Sequence, residues 1–317
     1  MSGEAPARTN VTTGLDLTER VMLSTLTTVS CGIFFFINVT TLFTLRSRRV
    51  FCETSRYVLL YNLLLADTLQ MSLGQVLYLL SICRVMLTFP VCGLMVMIAN
   101  LTNEVSPLTL VAMSLERYVA VCFPLRHATI VTARNTVVAV FAVWAVCSLN
   151  VVTRVLLLLQ FPFEELGSLQ MKTICGTMVM FLGPASDMYD RAYTCFLFVS
   201  ATVAIIASYV AVVIAARAAS SADGASALKA RNTLLLHLVQ LGLSLSSTLH
   251  NSLLLLISRV VTTAVLIRIL NVLYVFIIVL PRCLSALIYG LRDQTIRPVL
   301  FHHLCCCCSL KKVHISP

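Results

Sequence analysis

The sequence has few charged residues for its length. Of its 317 residues, 11% are charged and 59% are apolar, and the mean hydropathy is +0.93. Soluble domains carry about 25% charged residues, and disordered chains have low hydrophobicity. The composition therefore excludes both a soluble enzyme and a disordered chain. An integral membrane protein, whose apolar surface faces the lipid bilayer, remains.

Several functional motifs are also missing. The net charge of +10 is spread over short basic clusters between apolar runs, so we expect no nucleic-acid partner. A nucleotide-binding glycine loop, an HExxH sequence and a Ser/His/Asp grouping are absent, so we expect no catalytic residues, no metal site and no cofactor. A retinal-linked pump would need a lysine in the last apolar run, and the lysines lie elsewhere, at Lys172, Lys229, Lys311 and Lys312.

The apolar residues form seven runs, each long enough to cross a bilayer as a helix of about 20 residues. Because backbone groups that face lipid must be satisfied internally, we predict an all-α bundle of seven transmembrane helices. It occupies residues 21–290, between a tail at 1–20 and a segment at 291–317 that carries a short amphipathic eighth helix. The predicted spans are 21–45, 57–82, 93–122, 135–160, 192–216, 229–257 and 262–290.

The distribution of basic residues predicts the orientation. The segments 46–56, 117–134, 217–231 and 291–317 hold 14 of the 23 Lys and Arg residues. Because cytoplasmic loops are enriched in Lys and Arg, these segments are predicted to be cytoplasmic and the N-terminus extracellular. A glycosylation sequon at Asn10 agrees with this orientation. A multi-pass protein of the plasma membrane is expected.

One motif stands at the inner end of the third run: MSLERYVAVCFPLR, residues 113–126. It resembles the signature of rhodopsin-like (class A) G-protein-coupled receptors, and most closely that of the odorant receptors of fish. The resemblance covers about residues 20–300. It implies a receptor that binds a small, odorant-like molecule in the outer half of the bundle and activates a heterotrimeric G protein. Further matches are Asn38, LLLAD at 63–67, Trp144, Ser208-Tyr209, Lys229-Ala230 with Thr233 and His237, and IYGLRD at 288–293.

The sequence departs from the family pattern in three spans. Ser285-Ala286 stands where the family has Asn-Pro, Ala201 replaces the proline of the fifth span, and Leu245 and Ser247 replace the aromatic-and-proline switch of the sixth. These changes concern the activation hinge of the family and leave the predicted fold unaffected.

The resemblance also implies the coupling residues. Glu116, Arg117 and Tyr118 would form the cytoplasmic end of the third span, where a carboxylate can hold Arg117 until activation. Alternatively, Arg117 is an arginine that snorkels to the interface and anchors the helix. Tyr209 and Tyr289 would meet Arg117 in the active state, or else belong to the interfacial tyrosine belt.

Three ionisable residues lie at membrane depth: Asp67, Glu104 and Arg282. Charged groups there are costly, so they are expected to face the interior and to find partners. In the family, the positions of Asp67 and Ser106 help to bind a sodium ion. We expect Arg282 to replace that ion beside Asp67 or to pair with Glu104. The alternative is an ordinary sodium site, with Arg282 pointing into a wet cavity.

Helical spacing places a ligand cavity among the outer halves of the third, fifth, sixth and seventh spans. Ala99 occupies the position where amine receptors carry an aspartate, so a monoamine ligand is not expected. Each candidate residue could equally face lipid or another helix. The candidate ligand-binding residues are Asn100, Asn103, Glu104, Tyr193, Phe196, Thr248, Asn251, Ser252, Asn271 and Tyr274.

Two sets of cysteines have predicted roles. The resemblance implies an extracellular disulfide bond between Cys92 and Cys175. Cysteines that follow a short amphipathic stretch beside the membrane suggest palmitoylation, whereas a run of adjacent thiols is poorly arranged for tetrahedral zinc. The predicted palmitoylation sites are Cys305, Cys306, Cys307 and Cys308.

Two other functions are compatible with the sequence. A class A receptor could serve a non-olfactory cell and another small ligand. A small secondary transporter could use the three intramembrane charges as a polar pathway, but transporters commonly show repeated halves and broken helices, and this sequence shows neither.

Overall fold

A computed structural model describes residues 17–160, 169–171, 175–176, 184–219 and 295–303. It also describes single residues between these last two segments. These are Asn232, Leu235, Val239, Gly242, Ile269, Leu273, Phe276, Leu280, Arg282, Gly290 and Asp293.

The described residues are almost entirely helical. The helices are α1 (Leu17–Ser47), α2 (Arg49–Glu53), α3 (Ser55–Ile82), α4 (Phe89–Cys122), α5 (Pro124–Ile130), α6 (Ala133–Leu159) and α7 (Pro184–Ala219). Residues 296–303 form a further helix, called here the C-terminal helix. The described parts of the chain contain no strand, only an isolated antiparallel bridge between Thr88 and Gln170.

Five of these helices, α1, α3, α4, α6 and α7, are long and apolar enough to cross a membrane. They coincide with the first five predicted spans, which confirms an all-helical architecture with apolar spans. The sixth and seventh predicted spans lie mostly outside the described residues. Helix α7, which corresponds to the fifth predicted span, begins at Pro184 rather than at residue 192. Its first turns contain Asp187 and Arg191, which form an exposed ion pair. Because these charged residues lower the local hydropathy, a prediction from hydropathy places the start of the helix too late.

Helix α4 lies at the centre of the described bundle. In its most apolar stretch 56% of the residues are buried, against 17% in α6. The main core joins α1, α3, α4 and α7 through side chains such as Leu63, Leu110 and Ile205. Many large apolar residues point outwards and remain exposed, as expected for helices whose outer surface is covered by lipid.

A polar chain of three residues links α3, α4 and α6. Trp144 Nε1 donates to Asn62 Oδ1 at 2.7 Å, and Asn62 Nδ2 donates to Thr109 Oγ1 at 2.8 Å. Because Asn62 and Thr109 are buried, these bonds satisfy groups that would otherwise be unpaired in an apolar interior.

The C-terminal helix is joined to the base of α3 by Asp293. Its Oδ1 accepts hydrogen bonds from the backbone N–H groups of Thr295 and Ile296, an N-cap that satisfies free donors of the first turn. The hydroxyl of Tyr57 donates to the same carboxylate, and Arg56 Nη2 lies 3.0 Å from Asp293 Oδ2. Ile296 and Leu300 are buried in the core, so one face of this short helix packs against the bundle.

Candidate functional site

The predicted cytoplasmic end of α4 carries a small ionic cluster. Arg117 Nε lies 3.1 Å from Glu116 Oε2, and His127 Nε2 of α5 lies 3.7 Å from Glu116 Oε1. The Glu116 side chain is largely buried, whereas Arg117 is partly exposed. A carboxylate therefore holds Arg117 in this conformation, which is the arrangement that its predicted coupling role requires.

The positions of the predicted coupling tyrosines give less information about their roles. The ring of Tyr118 makes an edge contact with Phe123, with centroids 5.8 Å apart. Tyr209 lies half-buried on α7. Tyr289 lies outside the described residues.

Helix α5, which contributes His127 to the ionic cluster, was not predicted from the sequence. It has no buried residue, and Leu125 at its start is 96% exposed. Leu125 belongs to the motif at residues 113–126, but its exposure follows only from the packing, because single exposed apolar residues are common. Leu125 lies in the helix that follows the Arg117–Glu116 pair, so it can provide an apolar contact at the same end of the bundle.

A second site lies inside the bundle, around Asp67. Arg282 Nη1 lies 2.9 Å from Asp67 Oδ1, and Ser106 Oγ donates to the same oxygen at 2.6 Å. Arg282 Nη2 donates to Asn103 Oδ1 at 2.6 Å. The side chains of Asp67 and Arg282 are both almost fully buried. Of the two pairings that the sequence allowed, the structure contains the one with Asp67, so the guanidinium is a cation tethered beside that carboxylate.

The alternative pairing of Arg282 with Glu104 is wrong, because Glu104 faces a different pair of helices. Arg154 Nη2 on α6 donates to Glu104 Oε1 at 3.0 Å and lies 2.8 Å from Asp190 Oδ1 on α7. Asn150 Nδ2 donates to both oxygens of Glu104, at 2.7 and 2.8 Å. Glu104, Arg154 and Asp190 are called here the three-helix charge cluster.

Sequence reasoning missed two members of this cluster. Arg154 was not among the three ionisable residues singled out at membrane depth, although it is buried within α6. Asp190 precedes the predicted start of the fifth span, although it lies within α7. The signal that could have found Arg154 was its position inside the predicted span 135–160, where a charge at membrane depth requires a partner.

Two tyrosines complete this region. Tyr189 donates from its hydroxyl to Asn150 Oδ1 at 2.8 Å, and its ring stacks with that of Tyr193 at a centroid distance of 6.1 Å. The guanidinium of Arg154 lies 5.9 Å from the centroid of the Tyr193 ring. The hydroxyl of Tyr193 is buried beside Glu104. The Nε of Arg154 is buried and has no hydrogen-bond partner among the described residues.

The predicted ligand-binding residues differ in their positions: some lie in the interior of the bundle, one is exposed, and five lie outside the described residues. Asn100 carries a buried amide nitrogen that has no partner within the described parts of the chain. Asn103 binds Arg282, and Tyr193 and Glu104 meet at the three-helix charge cluster. Phe196 is 70% exposed on the outside of α7, which disagrees with a position in the cavity. Phe196 therefore does not share the buried position of the Tyr193 hydroxyl, although the two residues are one helical turn apart on α7. The remaining candidates, Thr248, Asn251, Ser252, Asn271 and Tyr274, lie outside the described residues.

The predicted disulfide bond is confirmed. Cys92, near the start of α4, is joined to Cys175, with Cα atoms 5.7 Å apart. Backbone bonds between Phe89 N and Leu169 O and between Met171 N and Leu87 O lie beside it. The described part of the long loop is thus fixed to the beginning of α4. Asn10 and Cys305–Cys308 lie outside the described residues.

Residues 37–313 match the family described as the 7 transmembrane receptor (rhodopsin family), so the chain belongs to this family of receptors. It is similar to odorant receptor 131-2 of Danio rerio, with 29% identity over 287 residues that cover 90% of this chain and 87% of that protein. A shorter stretch of 80 residues, 25% of this chain and 26% of the relative, is 30% identical to human olfactory receptor 13J1. The resemblance drawn from the sequence motifs is therefore confirmed.

Proposed function

We propose that the protein is an odorant receptor that binds a small molecule in the outer half of its bundle and activates a heterotrimeric G protein on its cytoplasmic face. The observation that carries this proposal is the Arg117–Glu116 pair in the last turns of α4, together with the exposed Leu125 in the next helix, α5. The similarity to a zebrafish odorant receptor along 90% of the chain supports the chemosensory role.

The cytoplasmic face provides two kinds of contact. In the described state Glu116 neutralises Arg117, and His127 adds a second nitrogen on the other carboxylate oxygen. Breaking the pair with Glu116 would free the guanidinium to bind carbonyl oxygens at the end of a G-protein helix. Leu125 would enter an apolar pocket of the same partner, which removes from water a side chain that the receptor alone leaves exposed.

The outer half of the bundle would supply the ligand site. The described candidate residues lie on the inward or helix-facing sides of α4 and α7: Asn100, Asn103, Glu104 and Tyr193. They belong to the half of the bundle that carries the disulfide bond between Cys92 and Cys175. A ligand that binds better to the open form of the cytoplasmic face would shift a pre-existing equilibrium towards that form.

The membrane arrangement belongs to the same proposal. The chain would cross the plasma membrane seven times, with an extracellular N-terminus glycosylated at Asn10. The C-terminal helix would continue as an amphipathic segment along the inner leaflet, held there by palmitoyl groups on Cys305–Cys308. One packed face of residues 296–303, formed by Ile296 and Leu300, supports this position beside the bundle.

The proposal is tested with an odorant panel on cells that express the protein, read as a change in cyclic AMP. At least one odorant class should give a response, and Arg117→Ala should abolish it. Arg134→Ala, which removes an exposed arginine at the start of α6, is the matched control and should respond like the native receptor. Silence to every odorant class, with normal display at the cell surface, would contradict the olfactory assignment. Uptake of a solute into vesicles without G protein would favour a transporter instead.

A further inference from the structure

Positive charge is concentrated where α1 ends and α2 begins. Three arginines lie there close together in the chain, and all of them are exposed: Arg46, Arg48 and Arg49. The only acidic residue in the segment 43–53 is Glu53, whose Oε1 forms an exposed ion pair with Arg49 Nε at 2.9 Å. Three arginines and one glutamate give this segment, called here the basic corner, a net charge of +2.

The backbone of the basic corner is fixed to the bundle on both sides of the arginines. Leu45 in the last turns of α1 and Phe51 of α2 are buried in the main core. The ring of Phe51 makes an edge contact with Tyr57 of α3, with centroids 5.0 Å apart. The acid that accepts the Tyr57 hydroxyl, Asp293, has its charge balanced by Arg56. The arginines are therefore held on the outside of the bundle by an anchored backbone.

Exposed apolar side chains lie beside these charges. Phe43 is 63% exposed, and Val50 is 64% exposed. Phe43 precedes Arg46 by three residues, so the two side chains lie on the same face of α1, and the ring is one turn nearer the middle of the helix. From the bilayer interior towards water, this face presents an apolar ring and then a guanidinium. A phospholipid presents its acyl chains and then its phosphate in the same order, and arginine side chains at a helix end reach that level.

The charge of the basic corner selects the kind of lipid. Guanidinium groups bind phosphate oxygens through paired hydrogen bonds. Phosphatidylcholine carries its own ammonium group, so its neutral headgroup would leave the corner at +2. A headgroup with additional phosphates can contact Arg46 and Arg48 together and balance both charges, and basic clusters on the cytoplasmic side of a membrane helix attract such lipids. A soluble anion would match the charge but would leave Phe43 without an apolar partner.

We propose that the basic corner binds a polyphosphorylated phospholipid of the inner leaflet, with its phosphates on Arg46 and Arg48 and an acyl chain along Phe43. This inference goes beyond the proposed function and takes from it only the cytoplasmic position of the end of α1. A lipid bound here bridges α1 and α2, so it stabilises the folded receptor.

The test measures the melting temperature of the purified full-length receptor in a neutral detergent as lipid is added, because a ligand of the folded state raises this temperature. The probes are dioctanoyl forms of phosphatidylinositol bisphosphate, phosphatidylserine and phosphatidylcholine, together with the free headgroup, inositol trisphosphate. The bisphosphate lipid should bind at the lowest concentration and phosphatidylserine more weakly. Phosphatidylcholine and the free headgroup should have no effect in that concentration range.

Single substitutions in the basic corner should change this affinity in opposite directions. Arg46→Gln and Arg48→Gln should each weaken binding of the bisphosphate lipid about fivefold, the contribution of one basic residue near an anionic membrane surface. Glu53→Gln removes the partner of Arg49 and should strengthen binding by a similar factor. Arg134→Gln, at an exposed arginine at the start of α6, is the matched control and should bind the lipid like the native receptor. All four substituted side chains are exposed, so the variants should fold like the native chain.

Three outcomes would overturn the proposal. One is equal stabilisation by phosphatidylcholine, and another is an affinity that the substitutions of Arg46, Arg48 and Glu53 leave unchanged. The third is binding of inositol trisphosphate as tight as that of the lipid, which would identify a site for a soluble anion. The measurement contains neither odorant nor G protein, so its failure is distinct from a failure of the proposed function.

Discussion

Arg282 and Asp67, 215 residues apart in the chain, form an ion pair with 2.9 Å between Nη1 and Oδ1 in the interior of the bundle. Ser106 and Asn103 bind the two partners from α4. The guanidinium occupies the side of Asp67 where a free cation would otherwise be needed. A positive charge that belongs to the chain cannot dissociate from Asp67 as a bound ion can.

Removal of Arg282 should therefore create a requirement for sodium. In Arg282→Ala, Asp67 loses its buried cationic partner, and breaking a buried pair costs about 3–5 kcal/mol in the free energy of unfolding. Sodium chloride should restore part of the lost melting temperature, whereas choline chloride, whose cation is too large, should not. Arg191→Ala, which breaks an exposed pair on α7, is the control and should show neither effect. Normal display, signalling and melting of Arg282→Ala without sodium dependence would contradict the role assigned to this pair.

Leu125→Ala should separate coupling from folding. Because Leu125 is 96% exposed, its truncation should change the free energy of unfolding by less than about 0.5 kcal/mol. Burial of a leucine against a partner contributes about 1.5–3 kcal/mol, so nucleotide exchange on the G protein should fall about tenfold or more at a fixed receptor concentration. Leu115→Ala, at an exposed apolar position of α4, is the matched control. Unchanged exchange by Leu125→Ala would exclude α5 from the G-protein interface.

The disulfide bond should dominate the stability of the outer face. It closes a loop with a sequence separation of 83 residues, and loss of a native disulfide costs about 2–5 kcal/mol. Cys92→Ser and Cys175→Ser should each lower surface display and melting temperature, and the double variant should be no worse than either single one. Cys195→Ser, which changes an exposed free cysteine of α7, should behave like the native protein. Additive losses in the double variant would show that the two cysteines act separately.

The hydrogen bond from Trp144 to Asn62 should stabilise the contact between α6 and α3. Trp144→Phe keeps an aromatic ring but leaves Asn62 Oδ1 buried without its donor, at a cost of about 1–3 kcal/mol. A double-mutant cycle with Asn62→Leu, followed by thermal melting with circular dichroism, measures the coupling between the two side chains. The double variant should lose less stability than the sum of the single variants. Strict additivity would mean that the bond contributes nothing of its own.

The sequence predicted the five described spans because lipid imposes one requirement, a long apolar helix, that hydropathy measures directly. It also predicted that Arg282 could meet Asp67, since a charge at membrane depth must find a partner. It could not choose between Asp67 and Glu104, because that choice depends on how α4 is rotated against α3 and α6. The same rotation brought Glu104 of α4 to Arg154 of α6. In the same way, the rotation of α7 left Phe196 exposed. Helix phase in an assembled bundle is set by packing between elements far apart in the chain, and it leaves no local pattern.

The carboxylate of Asp293 has a practical consequence for biosensor design. It holds the first turn of the C-terminal helix and, through Tyr57 and Arg56, the base of α3. A fluorophore attached to this helix would therefore report tilting of the second membrane crossing rather than free diffusion of a tail. A shortened receptor that ends before Asp293 would remove the acceptor of the Tyr57 hydroxyl and the anion beside Arg56, so trimming for crystallisation should stop after the helix, beyond residue 303.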